Sequence, residues 1–164
     1  MLRIVHSLKE LDFGKLMEVY EQSNRENGRE NYPEESEYRQ LFLQEDNFYQ
    51  YLRQVFFVTP GAIYGLWEEN GKYLSALRLE PYKDGLLLEA LETAPADRRQ
   101  GYGRKLMEAV LAQFPTEKIY SHVHKKNGPS LAIHELYGFQ RISEHAAYID
   151  GSVNGRCCTL CRMV

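Results

Sequence analysis

The order of predicted elements places the chain in class α+β, an α/β three-layer arrangement in which helices cover a mixed sheet. Three observations carry that prediction. Apolar runs bounded by turn signals alternate with amphipathic stretches in the order strand, two helices, three strands, helix, strand, helix, two strands. The three middle strands are separated by Asn70-Gly71 and Asp84-Gly85, and Asn-Gly supplies the positive φ angles of a tight hairpin. The segment Leu86 to Thr93 is apolar at nearly every position, as the middle of a sheet requires.

Leu2 to Val5 reads as a first strand. Ser7 and Glu10 make a capping box, and Phe13, Leu16, Met17 and Tyr20 follow as one buried helical stripe. Asn24 to Glu37 is polar and interrupted by Gly28 and Pro33, so it reads as a loop into a second helix, roughly Ser36 to Arg53. Strands follow over Ala62 to Glu68, Lys72 to Leu79 and Leu86 to Thr93. After Pro95 comes Arg98-Arg99-Gln100-Gly101-Tyr102-Gly103. A helix follows with Met107, Val110, Leu111 and Phe114 inward, and Pro115 ends it. Lys118 to His124 is a strand, and Pro129 to Tyr137 is a helix capped by Asn127. Phe139 to Ile149 and Arg156 to Met163 are closing strands joined by a loop.

Composition narrows the function. At 164 residues, 43% apolar and 26% charged, the chain reads as one globular domain, residues 1–164. Lys and Arg number 20 against 23 Asp and Glu, a net charge of −3, which gives no basic excess for nucleic acid. No apolar run reaches membrane-spanning length, and the N-terminus lacks a signal-peptide pattern. Cys157, Cys158 and Cys161 are odd in number and crowded together, which is no disulfide framework and fits a reducing cytoplasm.

The most informative feature is the strand, then Arg98-x-x-Gly101-x-Gly103, then the helix. A helix N-terminus leaves four N–H groups unpaired, with partial positive charge, and a diphosphate can accept from several of them. Glycine is wanted where the backbone must approach phosphate oxygens closely. Arg98, Arg99, Arg104 and Lys105 add positive charge in an otherwise acidic chain. A glycine-rich loop that merely starts a helix is the plainer alternative. A Walker loop is absent. The dinucleotide fingerprint fails because Leu106 stands where its third glycine belongs.

Thr93-Ala94-Pro95, then Arg98 to Gly103 and an amphipathic helix, closely resembles motif A of the GNAT superfamily of acyl-CoA-dependent N-acyltransferases. Asn127-x-x-Ser130 and Gly138-Phe139 resemble its second signature, and the strong match spans residues 86 to 139. The resemblance implies a mostly antiparallel sheet of six to seven strands, about four flanking helices, and central parallel strands that splay apart. It implies acetyl-CoA as cosubstrate, its pyrophosphate held by the turn Arg98, Arg99, Gln100, Gly101, Tyr102, Gly103 and Arg104. The strand segment Leu91, Glu92 and Thr93 would bind the pantetheine arm through the backbone of Leu91 and Thr93. Asn127 would contact the cofactor, and Ser130 would leave room for it.

Transfer to an amine needs a base, because an alkyl ammonium has a pKa of about 10.4, and a departing thiolate benefits from an acid. Alternation puts Leu87, Glu89, Leu91 and Thr93 on one strand face and Glu92 on the other. Relatives often carry the base on this face, which points to Glu89; its structural alternative is a buried ion pair with Arg78. The family's usual acid position holds His134 here, a residue that otherwise reads as a surface histidine, and Tyr137 is the second choice. His122 and His124 with Cys158 and Cys161 suggest zinc only weakly, so no metal is expected.

The acceptor that the resemblance implies is a small-molecule or peptide amine, and no nucleic acid or membrane partner is expected. Glu21, Glu26, Glu30, Glu34, Glu35 and Glu37 would attract a cationic amine, although a solvated helix face explains them equally well. A homodimer is implied only by relatives that dimerise. Two rival functions stay open: a non-catalytic acyl-CoA-binding module, and a transferase for a longer acyl chain.

Overall fold

The structure is a computed structural model describing residues 1–163. The elements run β1 (Leu2–Val5), α1 (Phe13–Val19), α2 (Glu21–Asn31), α3 (Glu37–Tyr51), β2 (Ile63–Glu69), β3 (Lys72–Tyr82), β4 (Gly85–Thr93) and α4 (Tyr102–Leu111). They continue with β5 (Ile119–His124), α5 (Gly128–Leu136), β6 (Gln140–Ser143), β7 (Ala146–Ala147), β8 (Val153–Asn154) and β9 (Cys157–Arg162). Seven strands form one sheet in the order β1-β2-β3-β4-β5-β9-β6, and β7 and β8 form a separate hairpin. Within the large sheet, β4 and β5 are the parallel pair and the other neighbours are antiparallel. Apolar side chains fill both faces. Leu16, Leu52, Phe56 and Tyr64 pack on the side of α1 to α3, and Leu77, Leu79, Leu88, Leu106 and Val110 pack on the side of α4.

The region read as a loop from Asn24 folds as helix α2, so the described residues hold five α-helices. Gly28 is not a breaker there. A Cβ on it would lie 2.9 Å from the Gln40 carbonyl oxygen, so its bare backbone lets α2 and α3 close together. Gln40 then donates to the carbonyls of Tyr32 and Glu35 and satisfies the end of the helix. The first capping box also lands differently. Ser7 precedes a single 3₁₀ turn, and α1 is capped by Asp12, whose Oδ1 accepts from the Lys15 N–H. The closing segment read as one strand to Ile149 is split, because Ala146–Ala147 leaves the large sheet to pair with Val153–Asn154.

Two irregularities shape the middle of the sheet. The β4–β5 ladder holds only three rungs, Leu86 with Ile119, Leu87 with Tyr120 and Leu88 with Ser121, and the strands then part. Just past that point β4 carries a bulge. Ala90 and Leu91 together oppose Leu77, and Ala90 sits at φ +52°. The Ala90 carbonyl, turned out of the ladder, accepts from the Tyr20 hydroxyl at 2.7 Å.

Candidate active site

The turn before α4 winds through two left-handed residues, Arg99 at φ +62° and Gly101 at φ +82°. Such alternation turns successive N–H groups toward one concavity. α4 has no side-chain cap, and its first bond from outside is Lys105 N–H to the Gly101 carbonyl. Among the described residues nothing accepts from the N–H groups of Gly101, Tyr102, Gly103 or Arg104. A side chain on Gly101 would meet nothing within 4 Å, because the glycine borders an open cleft. Arg98 folds back instead, donating to the Thr93 carbonyl and to Gln22.

That cleft has a volume of about 750 Å3 and takes in every residue of the turn except Gln100. Leu91, Glu92 and Thr93 of β4 line it, as do Asn127 and Ser130 at the start of α5. Its outer wall is α2, through Gln22, Ser23 and Glu26. The polar sequence hid that wall, because nothing in it marked a helix. Asn127 Oδ1 accepts the Ser130 N–H at 3.1 Å and so caps α5 at the cleft rim.

A second cavity of about 150 Å3 continues inward and shares Leu91, Asn127 and Ser130 with the first. It lies in the gap where β4 and β5 part. Glu89 lines it from β4, Ser121 and His122 from β5, and His134 from α5.

The bulge corrects the alternation read from the sequence. Glu89 opposes Arg78 and Glu92 opposes Ala76, so the two glutamates share the face toward α1 to α3. Leu91 and Thr93 lie on the other face, toward α4. Glu89 is ion-paired with Arg78, Nε to Oε2 3.1 Å, with both side chains largely buried. The guanidinium stacks on Tyr51, 4.9 Å from its ring centre. Glu80 is 5% exposed and brings a second carboxyl within hydrogen-bonding reach of Glu89. Burial and the adjacent Glu89 charge push the Glu80 carboxyl up to about 7.

This pair makes a testable statement about stability. A carboxyl raised on folding contributes stability fully present below the unfolded value, about 4.3, and lost as pH rises through about 7. Denaturant melts of wild type should therefore weaken between pH 5 and pH 8 by about 1–3 kcal/mol relative to Glu80→Gln. Parallel pH profiles for the two proteins would show that the carboxyls do not share a proton.

His134 is 1% exposed, not a surface residue. Its Nδ1 lies 2.7 Å from the Ser130 carbonyl oxygen and its Nε2 lies 2.8 Å from Ser121 Oγ. A carbonyl only accepts, so Nδ1 carries the proton and Nε2 accepts from the Ser121 hydroxyl. Burial lowers its pKa, which keeps the ring neutral. In that state His134 has no proton aimed into the cavity. Its bonds tie α5 to β5 beneath the reaction space. Tyr137 lies outside both cavities, with its hydroxyl donating to the Arg104 carbonyl. The sequence reading missed Ser121 and Glu80 altogether; only the strand register brings them in.

The paired histidines and cysteines do not gather. Register sets His122 against Thr159 and His124 against Cys157, while the Cys158 thiol donates to the Val123 carbonyl. Among the described residues no three His, Cys, Asp or Glu side chains converge.

Several solved structures share this fold over nearly their whole length. One is a PaiA N-acetyltransferase from Thermoplasma acidophilum in complex with coenzyme A, with TM-score 0.62, 14% identity, and coverage of 100% of this chain and 99% of that one. Another is the ribosomal-protein-S18-alanine N-acetyltransferase from Escherichia coli, with TM-score 0.63, 18% identity, and coverage of 99% and 93%. An acyl-CoA N-acyltransferase from Pseudomonas aeruginosa gives TM-score 0.60 at 16% identity, covering 99% and 98%. At such identities the likeness is one of fold. No curated protein matches the chain in sequence. Residues 16–139, about three quarters of the chain, match the profile of the Acetyltransferase (GNAT) family. The chain therefore belongs to the GNAT acetyltransferase family, whose cosubstrate is acetyl-CoA.

Proposed function

We propose that this protein is an N-acetyltransferase that moves an acetyl group from acetyl-CoA to a primary amine of a small molecule or peptide, by direct attack through a tetrahedral intermediate. The observation that carries the reading is the continuous cleft from the free N–H groups at the start of α4 to the gap between β4 and β5. A diphosphate fits the first, and the splayed edge of β4 offers backbone partners to a pantetheine arm. The coenzyme A held by the Thermoplasma neighbour supports the same cosubstrate. Arg98, Arg99 and Arg104 add cations at the diphosphate end.

The inner cavity, about 150 Å3, suits an acetyl group better than a long acyl chain. Glu89 stands at its wall, paired with Arg78. The departing thiolate, of a thiol with pKa of about 8.5, takes a proton released in the reaction, directly or through water, since neither His134 nor Tyr137 presents one. The domain is residues 1–164, as the single seven-stranded sheet supports.

The reading is tested by thermal melts with coenzyme A, acetyl-CoA and longer acyl-CoAs, followed by thiol release from acetyl-CoA over a panel of primary amines. Acetyl-CoA should stabilise most, and at least one amine should release thiol. Stabilisation without thiol release on any amine would favour a binding module. Stronger stabilisation by a longer chain would favour a different acyl group.

A further inference from the structure

His122 is an anomaly in this site. Both ring nitrogens are buried and neither has a hydrogen-bond partner among the described residues. Buried polar atoms are almost always paired, and leaving one unpaired costs roughly 1–3 kcal/mol. The position explains it. His122 is the first residue of β5 past the last rung of the β4 ladder, and it lines the inner cavity with Glu89. Tyr82 and Tyr148 grip the ring edge-on, at centroid distances of 5.6 and 5.2 Å and interplanar angles of 87° and 90°. The ring is thus fixed in orientation by apolar contacts while its lone pair stays uncommitted.

Glu89, by contrast, is committed. Arg78 holds one of its oxygens and Glu80 lies in hydrogen-bonding reach of the carboxylate. We propose that His122 is the group that takes the proton from the acceptor's ammonium, with Glu89 stabilising the imidazolium that forms. The inference rests on the acetyltransferase reading above. In the step, R–NH₃⁺ gives a proton to a His122 nitrogen, and the freed lone pair forms the N–C bond to the thioester carbonyl. The C–S bond breaks and coenzyme A leaves as thiolate. The second amine proton and the imidazolium proton pass to water and thiolate, yielding amide and free thiol.

The charged and titratable surroundings allow this. From β3 come Arg78, Glu80 and Tyr82, from the β3–β4 turn Lys83, from β4 Glu89, and from the β7–β8 hairpin Tyr148. Burial lowers the pKa of His122, partly offset by Glu89, and Lys83 lowers it further, so the ring stands neutral and ready to accept.

The test compares wild type with His122→Gln, which keeps a polar side chain but cannot take up a proton. Thiol release from acetyl-CoA is measured with two small amines at pH 7: 2-phenylethylamine, which is then an ammonium ion, and hydroxylamine, which is already neutral. The variant should lose at least about 100-fold with 2-phenylethylamine and less than about threefold with hydroxylamine. The lost rate should return as pH rises toward the ammonium pKa. Equal losses on both amines would reduce His122 to a structural role, and no loss on either would remove it altogether. Thermal melting and coenzyme A affinity, unchanged in the variant, show that the cleft is intact. Where 2-phenylethylamine is not accepted, the ammonium arm uses whichever amine of the panel releases thiol; a wild type that releases thiol with no amine of the panel would instead overturn the acetyltransferase reading, and this inference with it.

Discussion

Gly101→Asp is expected to weaken coenzyme A binding at least about 100-fold, close to 2.8 kcal/mol, with little loss of stability. Gly101 sits at φ +82°, where most side chains strain the backbone, but aspartate and asparagine tolerate this region better than other residues. The space beside it is open, so the new side chain meets no protein atom. What it does meet is the field of the α4 N-terminus, whose first N–H groups are free. A carboxylate there accepts those N–H groups itself and repels an incoming diphosphate. Gly101→Asn separates the two effects, because it has the same shape and no charge. Isothermal titration with coenzyme A should rank wild type above the Asn variant and the Asn variant above the Asp variant. Equal affinity in wild type and Gly101→Asp would place the diphosphate elsewhere. The loss should shrink as salt is raised, since part of it is charge repulsion at an exposed site.

The parts of the site legible in the sequence are those written by local rules. Asn70 and Gly71 take the positive φ values, 50° and 74°, that an Asn-Gly hairpin requires. Asn127 caps α5 through Ser130 N–H, and the Arg98-to-Gly103 turn opens onto a cleft at the head of α4. The illegible parts depend on contacts distant in sequence. Ala90 occupies a left-handed conformation that its residue type disfavours, and Tyr20, 70 residues away, holds its carbonyl. No local pattern announces that bulge, yet it reverses the faces of Leu91, Glu92 and Thr93 and so decides which side chains see the cofactor cleft. Helix α2 was hidden for a related reason. Its glycine serves a helix crossing rather than a break, and Gln40 on α3 does the capping. The environments of His122 and His134 follow from the β5 register and from Ser121. Neither histidine's chemistry could be read from its neighbours in sequence.

Gly85→Ala should lower stability by about 3 kcal/mol or more and the melting temperature by roughly 6–12 °C, because this residue holds the closed end of the parallel pair. A Cβ at Gly85 would fall 2.0 Å from the Lys118 carbonyl oxygen and 2.9 Å from its carbon. Both are backbone atoms, so no rotamer change relieves the clash, and β4 and β5 must separate. That separation breaks the Leu86 N–H bond to the Lys118 carbonyl, 2.9 Å long, and strains the first of only three rungs. Gly71→Ala is the control. Unlike Gly85 it sits at positive φ, 74°, but a Cβ there meets nothing within 4 Å, so about 1 kcal/mol of backbone strain is expected. A loss at Gly85 no larger than that at Gly71 would show that the close approach to Lys118 does not set the cost there. The parallel pair must stay pinned at Gly85 if it is to open beyond Leu88, and the opening holds Glu89, His122 and the cofactor path. Coenzyme A binds only the folded form, so at about 100 times its Kd it should restore about 2.7 kcal/mol to the variant. A Gly85→Ala protein that melts low and gains nothing from coenzyme A would show that the displaced strand has also closed the cleft.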